Sequence, residues 1–179
     1  MRMKVQLPNA MEDNLRDQPE SIRKLCHDIQ TFTVDANTAV LSLYSISQIC
    51  WSNFGSGEIQ RDLAGKLMAV VGALSSLRET INATPKRCLL SPSNVETLTQ
   101  SIERCELIVH RIEEAVQKLD KHLAAQPEKN RRIRPPGMYN AFNSGEDREP
   151  TRILTDCFCA IMHAIVTARA VILSGRDEL

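Results

Sequence analysis

The stretch VETLTQSIERCELIVHRIEEAVQKLDKHL, Val95 to Leu123, decides how this chain is read. Its apolar residues Val95, Leu98, Ile102, Cys105, Val109, Ile112, Val116, Leu119 and Leu123 alternate at three and four residues. On an α-helix that spacing forms one continuous row, a coiled-coil seam of about four heptads. Glu106, Glu113 and Asp120 occupy the flanking e sites, while Ile108 and Ala115 at g sites widen the row. A widened row suits burial between two neighbouring helices better than a bare two-stranded rod. The outer face carries Glu103, Arg104, Arg111, Glu114, Lys118 and Lys121, with Glu114 and Lys118 in the favourable i to i+4 order. Ser93 and Glu96 have the spacing of a capping box at the start of this helix.

Upstream, residues 1–16 are polar, contain Pro8 and show no periodic apolar face, so they read as a flexible arm. A first helix is expected from Asp17 as N-cap, with Glu20 completing a capping box and Ile22, Leu25, Cys26, Ile29 and Phe32 on one stripe. After Thr33-Val34-Asp35 a second helix is expected, its broad apolar face formed by Val40, Leu41, Tyr44, Ile46, Ile49, Cys50 and Trp51. Gly55-Ser56-Gly57 stops it. A third helix runs from near Glu58 to before Pro85, with Ile59, Leu63, Leu67, Val70, Leu74, Leu77 and Ile81 on one side. Beside that row, Ala64, Gly65, Ala69, Gly72 and Ala73 would let a neighbouring backbone come close, which places this helix centrally. The short connection to the Val95–Leu123 helix predicts antiparallel neighbours.

Downstream, residues 124–150 lose all periodicity and read as a long loop rich in Arg, Pro, Asn and Gly. A last helix is expected from about Thr151 to Ser174, with Gly175 as C-cap. Its apolar residues cover most of the circumference and leave only a narrow polar strip through Arg152, Asp156, His163, Thr167 and Ser174, so it is expected to insert between other helices. The fold expected is thus an all-α bundle of about five helices in a single domain over residues 17–179, with the loop inside it.

Composition narrows the function. The chain has 179 residues, 42% of them hydrophobic, which is enough for one core. Twenty-two basic residues balance 22 acidic ones, so no general attraction to nucleic acid or anionic membrane is expected. Aromatic residues at 4% weaken any case for a base-stacking platform. Six cysteines in a chain of this size, behind a start with no apolar leader, point to reduced thiols and a cytoplasmic setting. The most apolar stretch, Ile153–Leu173, contains Asp156, His163 and Arg169 and is read as a buried helix, not a membrane span. Arg176-Asp177-Glu178-Leu179 resembles an ER-retrieval tail but lacks the leader that would give it meaning. Asn82-Ala83-Thr84 matches a glycosylation acceptor and equally fits a helix end before Pro85.

Candidate chemistry is sparse. Cys157, Cys159 and His163 suggest zinc ligands, yet Cys157 points about 200° away from Cys159 on an ideal helix, and no fourth ligand is evident. Cys105 with His110, and Cys26 with His27, are weaker versions. Gly55-Ser56-Gly57 has too few glycines and no lysine for a phosphate loop. No catalytic, cofactor or metal site is assigned. The one concentration of charge is Lys129, Arg131, Arg132 and Arg134, followed by Pro135-Pro136, a candidate contact for a protein partner or polyanion. The leading expectation is a non-enzymatic, interaction or regulatory protein that binds another protein or itself. A nucleic-acid-associated regulator using residues 129–134 is the first alternative, and a small-molecule or metal-binding bundle the second.

Overall fold

The computed structural model describes residues 18–54, 57–84, 89–125 and 148–174, except the side chains of 49–54, 119–120, 122–125 and 148–149. The described residues are all-helical, without strands, in four helices: α1 Glu20–Phe54, α2 Glu58–Asn82, α3 Pro92–Ala125 and α4 Arg148–Ser174. The arm 1–16, the tail 175–179 and most of the loop 124–150 lie outside them.

The difference from five helices lies in α1, which runs through Thr33-Val34-Asp35 without a break. Those three residues have modest helix propensity, costing tenths of a kcal/mol each, but none is a Gly or Pro. The Thr33 hydroxyl donates 2.7 Å to the Ile29 carbonyl, so its polar group is satisfied within the helix. Packing outweighs the propensity cost. Ile22, Leu25, Ile29, Phe32, Ala36, Ala39, Leu43 and Ile46 are all buried, and they alternate at three and four residues across the expected break. Ala36 and Ala39 are the bridging positions, and their small side chains hide the continuity from a reading based on large apolar residues. The same register turns Leu41 and Tyr44, expected to be buried, toward solvent.

The ends of the helices also shift. Pro19 accepts the first turn's bonds from the amides of Ile22 and Arg23 at 3.0 and 3.1 Å, so α1 starts there; Asp17 lies outside the described residues. The N-cap of α3 is Ser91, not Ser93: its hydroxyl accepts from the Asn94 amide at 3.2 Å and its carbonyl from Val95 at 3.1 Å. Pro92 then takes the first helical position, where its missing N–H costs nothing.

Each helix packs on two others, in the ring order α1, α2, α4, α3. Helices α2 and α3, expected as neighbours, face each other across the ring instead. The Gln18 side chain donates 3.3 Å to the Thr84 carbonyl, which sets the start of α1 beside the end of α2, so the two run antiparallel. Glu106 of α3 lies near Asp28 and Asp35 of α1. An antiparallel α3 would have to begin some 40 Å from Thr84, whereas the eight residues to Pro92 span at most about 28 Å. Thus α3 runs parallel to α1.

The core is one cluster to which all four helices contribute. On α3, Val95, Leu98, Ile102, Cys105, Val109 and Ile112 are buried, as are Ile108 and Ala115 on the widened side, and Val116 packs partly buried against them. Leu119 and Leu123 lie outside the described side chains. On α2 the expected row is buried from Leu63 to Ile81, but Ile59 is exposed. Of the small residues, Ala64 and Ala73 face the core; Gly65, Ala69 and Gly72 face outward, and a Cβ on either glycine would meet nothing within 4 Å.

Candidate functional site

Helix α4 departs most from expectation. Leu154, Cys157, Ile161, Ala164, Ile165 and Ala168 face the core, as α2 and α3 require. Ile153, Phe158 and Ile172 pack partly buried against that core, and the remaining apolar residues are not inserted between helices. Cys159, Met162, Val166 and Leu173 are exposed, Val166 at 63% and Leu173 at 61%. At 100° per residue these four fall within about 60° of one another, well round the helix from the buried row. They form a solvent-facing apolar strip bordered by Asp156, His163 and Arg169, which are also exposed. The strip's residues are legible in the sequence; its outward direction depends on α1 lying across the ring from α4 and leaving that side uncovered. By length and composition alone, Pro150–Ser174 is also apolar enough to cross a bilayer.

The metal reading does not assemble. Cys157 is buried whereas Cys159 and His163 are exposed, so the helix holds the first thiol away from the other two groups. Cys105 and Cys26 are likewise buried while His110 and His27 face solvent. His110 instead lies 3.8 Å from Glu113 and 3.4 Å from Glu114, exposed pairs that contribute little to stability. Among the described residues no three His, Cys, Asp or Glu side chains converge as metal ligands.

The turn before α2 is occupied by its own chain. The hydroxyl of Ser47, a buried residue of α1, donates 3.0 Å to the Gly57 carbonyl and accepts at 3.0 Å from Arg61 Nε. This three-residue clasp ties the turn before α2 to α1. At the other end of α2 both amide atoms of Asn82 are withdrawn from solvent, without a partner among the described residues. A glycosyl acceptor needs an accessible amide nitrogen, so the helix-end reading of Asn82-Ala83-Thr84 is the better one.

Four titratable groups are displaced by their surroundings. Glu106 is held above the ordinary carboxyl range, first by partial desolvation and then by the negative charges of Asp28, Glu103 and Asp35. Burial pushes the Cys26 thiol up to about 11, against a smaller opposing effect of Arg78. Cys105 of α3 and Cys157 of α4 are both buried in the shared core. The neighbouring Cys157 and burial hold the Cys105 thiol above its ordinary range, while Cys157 is lowered, chiefly by Cys105. No sequence pattern announces this pair, since residues 105 and 157 meet only through the tertiary fold. Lys129, Arg131, Arg132 and Arg134 lie outside the described residues. Comparison of the chain with protein families, curated proteins and solved structures finds no match.

Proposed function

We propose that this is a non-enzymatic helical protein that acts by binding protein, and that its contact surface is the outer strip of α4, laid against the same strip of a second copy. The observation that carries this reading is the exposure of Cys159, Met162, Val166 and Leu173 on a helix whose opposite side is in the core. A strip that repeats along one helix is complementary to itself when two copies meet about a two-fold axis. The seam of α3 is not available for this role, because its described residues pack within the monomer. The strip is four exposed side chains on one helix, a small contact, so the association expected is weak and concentration-dependent. Buried Cys26, Cys105 and Cys157 are free thiols, which fits a reducing, cytoplasmic setting.

Sedimentation velocity of the full chain over a dilution series tests this. Wild type is expected to shift toward a dimer as concentration rises, while V166E/L173E stays monomeric with an unchanged helical circular dichroism spectrum. A wild type that remains monomeric throughout, or a variant that dimerises equally well, overturns the proposal. Flotation of wild type, but not the variant, with neutral phospholipid vesicles would assign the strip to a lipid surface instead.

A further inference from the structure

Helix α4 carries a thiol and an imidazole, Cys159 and His163, that are both exposed and stand four residues apart. On the helix they lie about 40° apart in rotation and about 6 Å apart along the axis, so both sit on one face. Neither side chain has a hydrogen-bond or ion-pair partner among the described residues. The other described cysteines and histidines do not combine in this way. Cys26, Cys105 and Cys157 are buried, His110 lies against Glu113 and Glu114, and the cysteine nearest His27 in sequence is the buried Cys26. Two ligands one turn apart on a helix are half of a tetrahedral zinc site. Among the described residues no further ligand converges on them. Cys159, however, belongs to the outer strip of α4 and His163 borders it, so a second copy meeting that strip brings the same two ligands. We propose that Cys159 and His163 of two copies together hold one zinc ion at the two-fold axis, and that zinc thereby strengthens self-association through α4. This rests on the strip being the surface where two copies meet.

An axis running along the strip sets each residue beside its own counterpart. The two Cys159 thiols then face each other, with one His163 flanking them on either side. Helical side chains tilt toward the N-terminus, which inclines each His163 toward the turn that bears Cys159. Four such ligands close round an ion with Zn–S of about 2.3 Å and Zn–N of about 2.0–2.1 Å. Each thiol releases its proton to solvent as its Zn–S bond forms, and each imidazole binds through a neutral nitrogen, so two protons leave for every ion bound. The two thiolates cancel the charge of the dication. The site thus adds no net charge to the apolar contact of Met162, Val166 and Leu173, which a set of four imidazoles would do. Thiolate and imidazole donors select zinc over magnesium and calcium, which take oxygen ligands. Because the full ligand set exists only in the pair, zinc binds the dimer in preference to the monomer and draws the equilibrium toward it.

The experiment strips the full chain with a chelator and keeps it under a phosphine reductant, which prevents a disulfide between two Cys159 residues from imitating the effect. Equilibrium dialysis against zinc, followed by metal analysis, is expected to give one ion per two chains. Cobalt(II) in its place should give the visible absorption of a tetrahedral site with ultraviolet thiolate charge-transfer bands. In sedimentation velocity the dimer should appear at a protein concentration at least about tenfold lower with zinc than with chelator. C159S and H163A change exposed positions, so each should keep the wild-type circular dichroism spectrum, lose zinc, and dimerise only as wild type does in chelator. Wild type that dimerises in chelator yet binds no zinc overturns the site and leaves the strip standing. Wild type that is monomeric in chelator and dimeric with zinc supports the site and overturns the strip as sufficient for association. One zinc per chain on a monomer, or zinc retained by C159S, overturns the proposal.

Discussion

Replacing glycine by alanine at three positions tests the packing of α2 with opposite signs in one experiment. At Gly57 a Cβ would lie 2.7 Å from the Ser47 carbonyl oxygen and 2.8 Å from its hydroxyl. The backbone there has φ of −179°, extended and open to any residue, so space alone decides the outcome. The carbonyl belongs to the interior of α1 and cannot retreat without distorting that helix, so the turn must move and the 3.0 Å Ser47–Gly57 hydrogen bond is strained or lost. Overpacking of this kind costs about 1–3 kcal/mol and the hydrogen bond about 1 kcal/mol, offset by roughly 0.4–1 kcal/mol from the stiffer unfolded chain. G57A should therefore destabilise by about 2 kcal/mol, lowering Tm by roughly 4–8 °C. At Gly65 and Gly72 the added Cβ meets open space on a regular helix, so G65A and G72A should each stabilise by about 0.5–1 kcal/mol. Urea unfolding followed by circular dichroism measures all three. The double variant S47A/G57A relieves the hydroxyl contact but not the carbonyl one, so it should recover only part of the loss. G57A as stable as wild type, or G65A and G72A as damaging as G57A, would refute the reasoning.

Two further predictions address α3. Ile112 is fully buried and Leu107 is 64% exposed on the same helix. I112A should cost about 2–5 kcal/mol and L107A within about 0.5 kcal/mol in the same urea assay, and equal costs would show that the row is misplaced. Glu106 has its carboxyl pKa raised in the folded state, first by desolvation and then by Asp28, Glu103 and Asp35. A raised carboxyl opposes folding once it is ionised, so stability is lost as pH rises through the folded-state value. E106Q should thus melt above wild type at pH 7, with the difference vanishing below about pH 4, where the group is protonated in both states. Added salt should narrow the gap at pH 7, and a lower Tm for E106Q at pH 7 would contradict the assignment.

The all-helical class and three of the four helices are legible in the sequence, because large aliphatic residues at helical spacing mark α2, α3 and α4 directly. The continuity of α1 is not. Its register passes through Ala36 and Ala39, whose weak hydrophobic signal is outweighed locally by three residues of poor helix propensity. The exposure of Met162, Val166 and Leu173 is hidden for a different reason. An apolar helix reads as buried on every side until its neighbours are known, and the ring order depends on α3 packing on α1 and not on the helix just before it. The burial of both Cys105 and Cys157 in the shared core is of the same kind, set by helices that meet without a local signature. The basic run at 129–134 is legible as charge, and the described residues lie elsewhere.

The diagonal placement of α2 and α3 has a consequence for how the chain divides. Among the described helices, consecutive ones pack closely within α1–α2 and within α3–α4, so the bundle is two successive helix pairs set face to face, and the segment between Asn82 and Pro92 is the single covalent link between the described parts of those pairs. Each pair exposes one long apolar face that only the other pair covers. Cleavage in that segment would give two fragments that are each incomplete and mutually complementary, so the chain is suited to reconstitution from halves. The same division leaves α2 and α3, adjacent in sequence, without close packing on each other, so the two are not expected to fold together when the other helices are removed.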